Sequence, residues 1–153
     1  MKKFHPLSVF FALTLAFSLN SYAESNAQRI VENKDITNCT EKHADNISEC
    51  LTTVSESAEK QLNTAYQEKL KEISSYDYSQ WWMGDKKQRE DMKNAFIRSQ
   101  EIWLKYRQDY CKAASAGAES IDGYSSVMLS CHINLGWRRI EEIKMVHPDL
   151  SDG

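Results

Sequence analysis

The chain has 153 residues, 41% of them apolar, with 19 Lys+Arg against 22 Asp+Glu, a formal charge of −3 and four cysteines. One domain is the usual content of that length, which excludes a two-domain enzyme; five Gly and two Pro are too few for a turn-rich sheet fold or a glycine-rich phosphate loop. Nucleic-acid binding normally shows as a basic balance, and none is present.

The first element is a leader. Lys2 and Lys3 precede an apolar run from Leu7 to Leu19, and Ser21-Tyr22-Ala23 supplies a small-x-small cleavage pattern. Residues 1–23 therefore read as a secretory signal peptide cut after Ala23. The run is shorter than the roughly 20 apolar residues of a membrane span, and polar Asn20 follows it directly. Removing 23 residues and two lysines leaves 130 residues, 17 bases against 22 acids, and a charge of −5. No later stretch is apolar enough to embed in a bilayer, so the expected product is periplasmic or secreted.

Cys39, Cys50, Cys111 and Cys131 all follow the leader, and an even count in an oxidising compartment reads as two disulfides. No C-x-x-C pair is present and the histidines are scattered, so neither metal nor cofactor is expected. Four cysteines allow three pairings. Cys39–Cys50 with Cys111–Cys131 closes short loops and is favoured; Cys50–Cys111 with Cys39–Cys131 stays open.

Residues 24–38 show no period and read as a loose N-terminal arm. From Asn46 to about Ile73, Leu51, Val54, Ala58, Leu62, Ala65, Leu70 and Ile73 mark one helix face. Asn46 and Glu49 suggest a capping box at its start. Residues 74–84 form a connection, and Asp85 caps a second helix carrying Met92, Phe96, Trp103, Tyr106 and Tyr110 on its buried stripe. Residues 115–123 form the next connection. A third helix starts near Ser125 or Ser126, buries Leu129, Ile133, Ile140 and Ile143, and stops at His147-Pro148. The expected fold is all-α: a small antiparallel bundle of three main helices over 39–147, braced by two disulfides, with a tail at 148–153. Folding the hairpins brings Cys50, Cys111 and Cys131 to one end.

Ser99-Gln100-Glu101-Ile102-Trp103-Leu104-Lys105-Tyr106-Arg107-Gln108-Asp109-Tyr110-Cys111 resembles the Q-x-x-W-x-x-Y-R-x-x-x-C signature of the LprI-like lysozyme-inhibitor family. Glu49-Cys50-Leu51, Leu62-Asn63-x-x-Tyr66, and Cys131 followed by Arg138 or Arg139 resemble its other elements. The resemblance runs from Cys39 to about Ile143. It implies a small exported bacterial protein that acts by binding, with a strongly basic lysozyme-type enzyme as the partner class. The Gly-Ser stretch before the last cysteine is only approximated by Gly117, Gly123 and Ser125-Ser126, and Asn134-Leu135-Gly136 stands where the family usually has a Thr.

Trp103, Tyr106 and Arg107 read as structural motif residues, Arg107 pairing with Glu56 or Glu59 of the first helix. Asn63 and Tyr66 read as polar contacts between helices. Tyr76, Asp77, Tyr78, Trp81 and Trp82 crowd one connection, either as interface anchors or as a cap on the core. Residues 24–77 hold 11 acids and 6 bases, 78–115 hold 5 and 8, and 116–153 hold 6 and 3. Acidic segments thus flank a basic helix and would steer a cationic partner. Occlusion of a lysozyme cleft by loop 76–82 or by loop 115–126, with Asp77, Glu119 or Asp122 meeting basic residues, is the expected mechanism. A periplasmic immunity protein that neutralises a delivered toxin is the alternative. An envelope hydrolase using Cys131, His132 or His147 is a weaker one, since no G-x-S-x-G or H-E-x-x-H motif is present and the chain reads as a non-enzyme.

Overall fold

The computed structural model describes residues 29–43, 46–77, 79 and 85–146. Among these the chain is all-α, with α1 at Lys34–Lys42, α2 at Ile47–Ser75, α3 at Lys86–Ala114 and α4 at Ile121–Met145. The helices number four rather than three. The additional one, α1, starts inside the segment read as a loose arm, and its one-turn seam of Ile36 and Cys39 is buried. Nine residues are too short to display a helical period, which is why the pattern was silent there. The leader lies outside the described residues.

Three helices begin at side-chain caps. Asn33 Oδ1 accepts from the N–H groups of Asp35 and Ile36 at 2.9 and 3.3 Å. Asp85 Oδ1 accepts from Gln88 N at 2.9 Å, and Ser120 Oγ from Gly123 N at 3.0 Å. That last cap starts α4 several residues earlier than Ser125, because it satisfies an end N–H and offsets the roughly 1 kcal/mol that a helical glycine costs. Asn46 departs from the expected capping box: its Nδ2 donates to Glu49 Oε2 at 2.6 Å, and its side chain caps no backbone N–H.

α4 is the central helix. α1, α2 and α3 all pack on it, so it is buried on several sides through Ser130, Cys131, Ile133, Leu135, Gly136, Ile140 and Ile143. Leu129, expected in its buried stripe, is only half-buried. The main core joins these residues to Leu62 and Ile73 of α2 and to Phe96, Trp103 and Cys111 of α3. Tyr66 of α2 stacks on Phe96 with ring centroids 5.4 Å apart, an apolar contact rather than a polar one, and Asn63 is exposed.

Two disulfides, Cys39–Cys50 and Cys111–Cys131, tie α1 to α2 and α3 to α4. The segment before α1 is also anchored. Asn134 Nδ2 donates to the carbonyls of Ile30 and Glu32 at 3.0 and 2.8 Å, and Asn33 Nδ2 donates to Asn134 Oδ1 at 2.9 Å. Cys111 is three residues from the end of α3, whereas Cys131 is ten residues into α4. At 1.5 Å per residue, the first turns of α4 therefore run about 10 Å beyond the end of α3.

Candidate partner-binding surface

Trp103 and Arg107 belong to a buried polar seam. One face of α3 follows Gln100, Trp103, Arg107 and Cys111 at three- and four-residue steps, and all four are buried. Arg107 reaches α2, where Nη1 and Nη2 donate to the two oxygens of Glu59 at 2.6 and 3.2 Å. Its guanidinium lies 5.0 Å from the Trp103 ring centroid, and that of Arg139 lies 5.7 Å from the same ring. Arg139 in turn donates to Gln100 Oε1, Ser99 Oγ and Glu142 Oε2 at 2.9, 3.0 and 2.9 Å. Buried Gly136 adjoins this layer: a Cβ there would stand 3.9 Å from Arg107 Nη1 and 4.0 Å from Leu62, ordinary contact distances that a small side chain could meet. These contacts join α2, α3 and α4 and leave the charged groups little freedom to meet a partner.

Tyr106 does not share that seam. It is 49% exposed and pairs with Tyr110 on the outer face, ring centroids 5.5 Å apart. α3 touches the bundle along a narrow strip. Gln100, Trp103 and Tyr106 are consecutive three-residue steps that drift the same way around the helix, and the second carries Tyr106 off the strip, whereas the four-residue step to Arg107 returns to it.

His132 lies close to the Arg107–Glu59 pair, and its Nε2 is buried without a hydrogen-bond partner among the described residues. Burial lowers its pKa first and the Arg107 charge lowers it further, while Glu59 works in the opposite direction. The unfolded chain therefore binds a proton at this residue that the folded chain resists. Stability from this group is complete above the unfolded value of about 6.5 and is lost as pH falls through that value toward the folded one. Urea unfolding between pH 7 and about 5 checks this: the wild-type midpoint falls, and His132→Gln flattens the fall.

The loop residues singled out in the sequence lie at opposite ends of the bundle. α2 has 29 residues, so its ends are about 43 Å apart. At the α2 C-terminal end, half-buried Tyr76 lines a hollow of about 230 Å³ with Ile73, Ser74, Arg89, Glu90 and Lys93. Exposed Asp77 accepts from Ser79 N at 2.9 Å, and the backbone N–H and hydroxyl of Ser79 hold its carboxyl below the ordinary range. Tyr78, Trp81 and Trp82 lie outside the described residues. At the other end, Glu119 and Asp122 are exposed. The structure thus brings Asp77 together with Tyr76 but not with Glu119 or Asp122.

Asp122 lines a groove that no sequence pattern marked. Thr40, Ile47, Ser48, Leu51, Asp122, Ser125 and Ser126 enclose about 500 Å³ between the end of α1 and the starts of α2 and α4. A further 340 Å³ lies between Ser48, Leu51, Thr52, Ser55, Glu56 and Leu129. Ser48 and Leu51 line both spaces, which thus adjoin along the first turns of α2 as a two-part groove. Its walls come from three helices separated in sequence, and serines and threonines on helix surfaces carry no period that would have announced it. A third hollow, over the outer face of α1, includes Lys34 and Lys42 among its walls.

All four cysteines are disulfide-bonded, which removes the thiol that the Cys131 hydrolase reading needs. Among the described residues no three His, Cys, Asp or Glu side chains converge as a metal site, and no helix is long and apolar enough to cross a membrane.

Compared with known proteins, residues 37–143 match the family described as "Lysozyme inhibitor LprI". Neither the curated proteins nor the solved structures yield a match.

Proposed function

The chain belongs to the LprI lysozyme-inhibitor family, and from that premise we propose that it is exported through its N-terminal leader and inhibits a basic lysozyme-type enzyme by occluding the substrate cleft. The family match over residues 37–143 is the observation that carries this reading. The leader pattern at Met1–Ala23 and the complete pairing of the cysteines suit an oxidising compartment outside the cytoplasm.

Of the two segments that could enter a cleft, charge favours 115–126, whose second half is the first turns of α4 rather than a loop. Exposed Glu119 lies just before the α4 cap and exposed Asp122 in its first turn, whereas Tyr76 and Asp77 adjoin Arg89 and Lys93 at the basic start of α3. A cationic partner is attracted to the first end and opposed at the second.

Turnover of a peptidoglycan suspension by egg-white lysozyme, with purified residues 24–153 added, tests this. Stoichiometric inhibition that weakens as salt rises is the expected result. Undiminished turnover by several basic lysozymes at micromolar inhibitor would refute it.

A further inference from the structure

We propose that the groove between the end of α1 and the starts of α2 and α4 is the docking surface for an extended, basic segment of the partner protein. The aliphatic stem of its arginine or lysine would lie over Leu51 and Leu129, and its charge would meet Glu56 or Asp122. This builds on the inhibitor reading and names the surface that makes the contact.

Four observations support it. The groove is open because α4 overshoots α3, leaving the first turns of α2 and α4 uncovered on that side. Its walls carry two carboxylates, Glu56 and Asp122, and no lysine or arginine. The hollow at the other end of the bundle contains Arg89 and Lys93, and that on the outer face of α1 contains Lys34 and Lys42, so both are mixed in sign. Finally, the wall formed by α1 is pinned to α2 by Cys39–Cys50, so the shape exists before binding and costs little ordering.

The lining chemistry selects the occupant. Hydroxyls at Ser48, Ser55, Ser125 and Ser126 can both donate to and accept from an extended peptide backbone. Leu51 and Leu129 offer apolar floor to the methylene stem of a long cation. No aromatic ring lines the groove, which disfavours a saccharide needing a stacking platform. A second copy of this chain is disfavoured by its own acidic charge.

The test is an NMR titration of the ¹⁵N-labelled chain with an arginine–glycine repeat peptide, run beside the lysozyme assay. Amide shifts are expected at Leu51, Ser55, Ser125 and Ser126. Glu56→Lys with Asp122→Asn is expected to weaken peptide binding and lysozyme inhibition by about tenfold or more. Ser125→Trp, which fills the groove from an exposed position, should do the same, while Arg89→Glu with Lys93→Glu leaves both intact. Circular dichroism checks that each variant is folded. Peptide shifts in the groove without lysozyme inhibition would support the groove and refute the inhibitor reading. Inhibition that survives the groove variants, peptide shifts that map elsewhere or are absent, or a concentration-dependent dimer broken by Ser125→Trp would each overturn the groove.

Discussion

Trp103→Ala is expected to lower the free energy of unfolding by about 3–5 kcal/mol, the range for deleting a large buried aromatic. The ring is 9% exposed and lies within 5.0 and 5.7 Å of the Arg107 and Arg139 guanidiniums. Its removal opens a void among α2, α3 and α4. It also strips each cation of an aromatic face, a loss of about 0.5–1 kcal/mol at each contact. The effect should spread, because Arg107 holds Glu59 of α2 and Arg139 holds Gln100 of α3. Trp103→Phe keeps part of the volume and of the ring face and should recover more than half of the loss. Urea titration followed by circular dichroism measures both variants. A fall below about 1 kcal/mol for the alanine variant would mean the site collapses freely and that the layer is not a structural hub.

The second large effect separates the two disulfides. Cys111→Ala with Cys131→Ala releases a crosslink spanning 20 residues, whose chain entropy corresponds to about 3 kcal/mol, and empties two positions with no solvent exposure. This bridge sits in the main core between α3 and α4, so its loss should lower the global unfolding midpoint. Cys39→Ala with Cys50→Ala removes a shorter crosslink, of 11 residues, whose chain entropy is similar because it varies only with the logarithm of span, yet its consequence should differ in place. The released element is α1, whose other ties are the Asn33–Asn134 contact and a small buried face. Hydrogen exchange should then show α1 opening locally while the α2–α4 core keeps its protection. Equal global destabilisation by both pairs would show instead that α1 is integral to the cooperative unit.

Much of the fold was legible because long amphipathic helices announce themselves. Leu62 and Ile73 on α2, Phe96 and Trp103 on α3, and Ile133, Ile140 and Ile143 on α4 occupy the buried positions their spacing indicated. Asp85 capped where its place before Gln88 suggested, and Arg107 found Glu59 across the hairpin, because a buried guanidinium requires a carboxylate within its reach. The candidate site was legible only in part. Asp122 was singled out for its charge, but its neighbours Ile47, Ser48 and Leu51 come from a helix about 70 residues away in sequence, and periodicity says nothing of such a pairing.

The helical class, the position of three helices, the excess of acid and the even set of cysteines could be read from the residues alone, because they follow from local spacing and composition. Tertiary packing alone decided the rest. α1 became a helix with a buried face because α2 and α4 offered it a surface, and Tyr106 turned outward because α3 buries only a narrow seam. α4 took the centre and ran past the end of α3, and from that axial offset came the open acidic groove. Spacing along one chain records which face of a helix is apolar, but not how far two helices overlap. That overlap is settled by side chains such as Cys111 and Cys131 meeting across the core.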